Sequence, residues 1–187
     1  QTFFSKHCTN WSTYTSPRES EDQYVRDLLS MVKEHSIDIM IPVGAAGTVP
    51  VALHQERFED VRIPVDSYEN IELAHDKEKT FEAAEELGVP IPATYCPKNE
   101  DELRRIADDI GYPAVVKPRK TAASRGMYYV DSKPELLKKY DSEGQDGVSV
   151  DFTYPLIQEY VQGEIHDVCV LFQNGELKKA LTQKRLR

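Results

Sequence analysis

The sequence is short of several things at once. Only three cysteines occur in 187 residues, at positions 8, 96 and 169. They are odd in number and far apart, which excludes a disulfide framework and points to reduced thiols in a cytoplasmic protein. No metal-ligand spacing joins them. No apolar run approaches the length of a membrane span, and the opening QTFFSKHC is too polar for the core of a signal peptide. Positive charge is scarce as well, with 23 Lys and Arg against 32 Asp and Glu, a net charge of −9 and a pI near 5.1. Neither nucleic acid nor an anionic membrane suits such a surface. The pattern GxxxxGK[ST] is missing, which argues against a P-loop phosphoryl-transfer enzyme. No repeat or low-complexity tract is present.

What is there is organised around residues 114–161. Ala114, Val115 and Val116 end in Lys117 and Pro118, a small-residue stretch follows, and Tyr128, Tyr129 and Val130 resume the apolar pattern. The β-branched and aromatic residues favour two strands, and the small residues between them suit a tight connection with free backbone N–H groups. Lys117 at a strand end, with Ser124, Arg125 and the backbone at Gly126 closing over the same space, is a donor set suited to phosphate oxygens. A Lys that ends an apolar strand needs an anion or water to compensate its charge. Residues 155–161 read as a further strand, followed by Gly163, Glu164 and the apolar run 168–172.

Taken in order, residues 1–5 have strand character. Ser20 and Gln23 have capping-box spacing, and Tyr24, Leu28, Leu29 and Val32 recur on one helical face up to His35. Residues 37–43 (IDIMIPV) are an apolar run of strand length, expected in a parallel sheet buried on both faces. A short helix over 49–58 and a strand over 61–65 are expected next. Gly44 and Gly47 read either as a substrate-facing loop or as a plain strand-to-helix turn. His54 and His75 have no ligand companions and take surface or cap roles. Asp76 is an N-cap, and the helix it opens carries Thr80, Phe81, Ala83, Ala84 and Leu87 to a stop at Gly88. Pro90 and Pro92 force an extended passage into 93–95. Asn99 or Glu100 starts a helix with Leu103, Ile106, Ala107 and Ile110 on its apolar face. A last helix, 134–140, leads to an acid- and Gly-rich loop at 141–147. From Ala93 onward the pattern is strand, helix, strand, strand, helix, strand.

These residues make the chain resemble the ATP-grasp enzymes. The resemblance runs from about Ile71 to the end, on Asp76 with Lys77 opening a helix, GVPIPAT (88–94), YPAVVKP (112–118), SRGM (124–127), QEYV (158–161) and Gly163 with Glu164. It implies an α/β fold, with a partial doubly wound (pre-ATP-grasp) domain followed by an ATP-grasp lid of mixed α+β type. The implied division is 1–75 for the first domain, 76–161 for the linking helix and lid, and 162–187 for the start of a larger lobe. The chain is therefore expected to be a fragment of a longer enzyme, inactive by itself.

The resemblance also implies ATP and Mg²⁺ as cofactors. Lys117 would contact the phosphates and adenine, and Arg125 would grip phosphate with its planar fork. The main chain of Glu159, Tyr160 and Val161 would meet the adenine edge, and Glu164 would accept from the ribose hydroxyls. Ala122 and Ala123 stand where many relatives have glycine, which stiffens that loop. Lys184, Arg185 and Arg187 read equally as cations near the γ-phosphate or acceptor and as a solvated strand end. The metal ligands are expected beyond residue 187. The implied activity is an ATP-dependent carboxylate–amine or related ligase working through an acyl phosphate, with ATP and a small carboxylate-containing substrate as partners; a homodimer is allowed. The run Ile41, Pro42, Val43 and the SRGM loop look most like the ligases related to carbamoyl-phosphate synthase. A non-catalytic nucleotide-binding or regulatory module is the rival from another class.

Overall fold

The computed structural model describes residues 5–121, 126–145 and 155–186, with the backbone alone at 141–145. Elements follow the chain as α1 (Glu21–Glu34), α2 (Ala45–Leu53), α3 (Tyr68–His75), α4 (Lys77–Glu86), β1 (Thr94–Tyr95), α5 (Glu100–Asp109), β2 (Ala114–Lys117), β3 (Tyr128–Val130), α6 (Lys133–Gln145), β4 (Leu156–Glu159), β5 (His166–Gln173) and β6 (Glu176–Lys184).

β1 to β4 form one antiparallel sheet in the order β1-β4-β2-β3. The expected strand, helix, strand, strand, helix, strand pattern is thus present. Strand alternation decides what each face carries. Ala114, Val116, Val130 and Ile157 point to one face and are fully buried with Leu103, Ala107 and Ile110 of α5 and its end and with Leu136 and Tyr140 of α6. The opposite face presents Val115, Lys117, Tyr129 and Gln158, with Thr94 opposite Gln158 in register. The first face is a closed apolar core, and the second, where Val115 and Gln158 are also buried, carries Lys117 at its edge.

A second core joins Tyr24, Val25 and Val32 of α1 to Val51, Phe58 and Val61. Ser20 caps α1 as its spacing predicts, its side chain accepting from the Gln23 N–H at 3.2 Å. Gly44 is the N-cap of α2, at φ 79°, so it serves the turn into that helix, which a side chain would strain. That turn moves the helix earlier than expected, to Ala45–Leu53, and a single 3-10 turn (Gln55–Arg57) finishes the segment. His54 caps α2 and meets Glu21, while His75 ends α3.

Three expectations need correction. Residues 37–43 and 61–65 are not full strands: they meet at one parallel bridge, Ile39 with Arg62. Ile39, Ile41 and Val43 are 51%, 69% and 87% exposed. A parallel strand is buried only when neighbours flank it, and among the described residues nothing but this bridge pairs with it. Residues 141–145 are helical, not loop, because α6 runs on to Gln145. Its polar tail carries no helix breaker except Gly144, whose cost of about 1 kcal/mol an established helix tolerates. α3 was not foreseen; its signal was Ser67, which accepts from the Asn70 N–H at 3.3 Å. Residues 1–4, part of the expected first strand, lie outside the described residues.

The β5–β6 hairpin stands apart from the four-stranded sheet. Asn174 and Gly175 both have positive φ, 53° and 75°. Asn-Gly is a strong sequence signal for a two-residue hairpin turn, and it went unread. No helix among the described residues is long and apolar enough to cross a membrane.

Candidate nucleotide site

Two lysines, one at the end of β2 and one at the start of α4, define the site. Lys117 ends β2, and its ammonium donates to the Gln158 side-chain carbonyl on neighbouring β4. Gln158 is buried and its amide in turn donates to Thr94 Oγ1 at 2.7 Å. A chain of neutral groups across β1, β4 and β2 therefore holds the charge. Lys77 reaches the same region from the first turn of α4. Its Nζ donates to three backbone carbonyls, of Pro118 (3.0 Å), Arg119 (3.0 Å) and Thr121 (2.8 Å).

Neither ammonium is ion-paired to a carboxylate among the described residues. Burial pushes both below the ordinary lysine value, and for Lys77 the neighbouring Lys117 charge adds to the shift. Lys77 also sits at the positive end of a helix dipole, where a cation is disfavoured. Both cations are half-buried and rest on neutral acceptors; Lys77 has given all three of its N–H groups to carbonyls, while Lys117 keeps N–H groups that an anion could take. Sequence reasoning noted Lys77 as part of a motif but gave it no role; a lysine directly after an N-cap, at the wrong end of a helix for its charge, was the available signal.

The cations beside them are matched. Arg119 binds Asp76 through two nitrogens and Glu78 at 2.5 Å, and Lys120 binds Glu72 at 2.5 Å. Burial raises the Asp76 and Glu72 carboxyls, but Arg119 and Lys120 outweigh it and hold both below the usual carboxylate range. The Cys96 thiol is pushed up to about 12 by burial and by a hydrogen bond to Glu78. Such a thiol is a poor nucleophile.

The remaining expected site residues are spread over the hinge and hairpin. The Glu159 N–H donates to the Ala93 carbonyl at 2.8 Å, and its carboxylate accepts from the Ala93 N–H. Tyr160 and Val161 follow outside the strand, exposed, and the Tyr160 ring meets Tyr129 edge-on at 5.7 Å. Glu164 pairs with Lys184 at 2.6 Å, and Arg185 with Asp167 at 2.8 Å. Both cations are thus engaged across the hairpin. Gly126 has φ 68°, a conformation glycine adopts without strain. Ser124 and Arg125, together with Ala122 and Ala123, lie outside the described residues, as does Arg187.

Two clefts lie elsewhere on the described surface. The larger, about 450 Å³, runs along α1 beside Trp11, Asp27 and Glu34 and gathers no cations. The smaller, about 190 Å³, lies between α4 and the sheet and is lined by Glu78, Glu82 and Glu85 among others, which repel an anion. The chemistry therefore selects the lysine pair over either cleft. For a triphosphate nucleotide the residues fit: Lys117 has donors for a phosphate, Lys77 adds charge nearby, and Tyr160 and Val161 are exposed. For Mg²⁺ they do not, since no group of three or more His, Cys, Asp or Glu among the described residues is gathered to hold a metal ion.

The chain is 32% identical over 120 residues to the carbamoyl phosphate synthase large chain of Thermotoga neapolitana, which covers 64% of this chain and 11% of that protein. It is 27% identical over 178 residues to a formate-dependent phosphoribosylglycinamide formyltransferase of Bacteroides fragilis, covering 90% of this chain and 45% of the relative. The chain thus spans about a tenth to under a half of the lengths of these relatives. A biotin carboxylase from Campylobacter jejuni, solved as a βγ-ATP complex, shares the fold with a TM-score of 0.66 at 20% identity, over 81% of this chain and 35% of that one. The family model described as "ATP-grasp domain" matches residues 74–185, more than half of the sequence, and the chain belongs to the ATP-grasp family.

Proposed function

We propose that this chain is the ATP-binding portion of an ATP-dependent carboxylate–amine or related ligase that works through an acyl phosphate. The observation that carries the reading is the lysine pair, Lys77 and Lys117, held by neutral acceptors while the adjacent cations are neutralised by acids. Ligases among the relatives support the reaction class.

In this reaction a carboxylate oxygen attacks the γ-phosphorus, the bond from that phosphorus to the bridging oxygen breaks, and ADP leaves with the electron pair. The amine then attacks the acyl carbon and phosphate departs. The protein's share is to place and neutralise phosphate oxygens. Lys117 does this with Lys77 adding charge from the start of α4, Ser124, Arg125 and Gly126 close over the phosphates, the chain at Glu159, Tyr160 and Val161 reads the base, and Glu164 accepts from the ribose. Lys184 and Arg185, paired with Glu164 and Asp167, act as hairpin-end pairs. The domains divide as 1–75, 76–161 and 162–187, and a small carboxylic acid is the acceptor. Residues 1–187 alone have no turnover. Mg²⁺ is held outside the described residues.

The experiment is titration of ATP into the full-length protein, followed by hydroxylamine trapping with candidate carboxylic acids. ATP binding with a carboxylate-dependent hydroxamate supports the ligase. Binding with no hydroxamate and no ADP release for any acid supports the non-catalytic module instead. No ATP binding overturns both.

A further inference from the structure

The segment that follows Lys117 is fastened to the α3–α4 junction through side chains and backbone together. Asp76 is 1% exposed; its N–H ends α3 on the Glu72 carbonyl, and its carboxylate caps α4 at the Glu78 N–H, 3.1 Å away. The same carboxylate accepts from Arg119 Nε at 3.0 Å and from a terminal guanidinium nitrogen. The Arg119 carbonyl accepts from both the backbone N–H and the Nζ of Lys77, and Lys120 reaches back to Glu72. Each half of this latch adjoins one of the two lysines: Asp76 precedes Lys77, and Arg119 lies two residues after Lys117.

A buried ion pair is a weak means of gaining stability, because desolvating both charges offsets most of their attraction. A two-point guanidinium contact does supply orientation. It matters here because Lys77 and Lys117 repel each other, and a strand end free to shift would separate them.

We propose that Asp76 and Arg119 are positioning residues, whose two-point contact fixes the distance and direction between Lys77 and Lys117 and so sets the affinity for nucleotide phosphates. This rests on the nucleotide reading above. It is a role in phosphate recognition for two residues that touch no phosphate themselves.

The test is calorimetric titration of ATP and, separately, of adenosine into the full-length protein and its Arg119→Lys, Asp76→Asn and Lys117→Met variants, each with its denaturation midpoint. Arg119→Lys keeps the charge and loses the fork. The expected result is ATP affinity lowered roughly tenfold or more, since displacing binding groups by about 1 Å costs up to about 10²-fold, with adenosine affinity unchanged. Parallel weakening of ATP and adenosine reports general loosening and overturns the proposal. ATP binding unaffected in Arg119→Lys while Lys117→Met is weakened also overturns it and leaves the nucleotide reading intact. A parent protein that binds no ATP overturns that reading and this proposal with it. If Asp76→Asn does not fold, Arg119→Lys alone decides.

Discussion

Two pairs of cations lie side by side at the end of β2 and the start of α4, and they are treated in opposite ways. Arg119 and Lys120 each meet a carboxylate, and hydrogen bonds to Asp76 and Glu72 raise their proton affinity. Lys77 and Lys117 meet only carbonyl oxygens, and their proton affinity falls. Lys77, Lys117 and Arg119 are partly buried and Lys120 is exposed. The pairs differ in their partners: carboxylates for Arg119 and Lys120, carbonyl oxygens for Lys77 and Lys117.

The sharpest way to break this contrast is to remove a partner from the matched pair. Arg119→Ala leaves the Asp76 carboxylate buried and uncompensated and is expected to cost about 3 kcal/mol or more, read from urea denaturation. A loss below about 1 kcal/mol, the ordinary worth of an exposed pair, would show that Asp76 is solvated after all.

Removing charge from the unmatched pair should do the reverse. Lys117→Met keeps the side-chain volume, relieves a buried charge and is expected to leave stability within about 1 kcal/mol of the parent. ATP affinity in the full-length protein should fall by roughly tenfold, the effect of about 1.4 kcal/mol. A marked loss of stability with unchanged ATP affinity would move Lys117 to the architectural side.

Acid and alkali separate the pairs without mutation. Asp76 and Glu72 have lowered values in the fold, so their contribution is present above the ordinary carboxylate range and is lost as pH falls through those lowered values. Lys77 and Lys117 are also lowered, so between their folded values and the unfolded lysine value of about 10.4 the unfolded chain binds more protons and stability rises with pH. ATP affinity should fall over that same alkaline range as the ammonium charges are lost. Denaturation and titration of the parent against Lys117→Met would isolate this from other groups; parallel pH dependence of the two proteins would rule it out.

The smallest effect belongs to exposed pairs. Arg26 and Asp22 are bonded one turn apart on α1 with both side chains more than half exposed. Arg26→Ala should cost about 0.3 kcal/mol, and less at high salt. A loss comparable to that of Arg119→Ala would show that burial is not what distinguishes these contacts.

The sequence by itself determined the local elements and the lysine that ends β2. The cap at Ser20, the helical face of Leu103, Ala107 and Ile110, and the apolar strands on either side of Lys117 are encoded within a few residues of where they act, and each is present. Only the tertiary structure decided which cations are matched. Asp76 and Arg119 lie 43 positions apart, and Lys77 meets its carbonyls across 41 to 44. No periodicity or cap couples residues over that span, and with acids in excess of bases on the chain, composition alone would neutralise every lysine. The same limit explains residues 37–43. Their composition is that of a buried strand, but burial is a property of neighbours, and a strand with one bridging partner stays exposed.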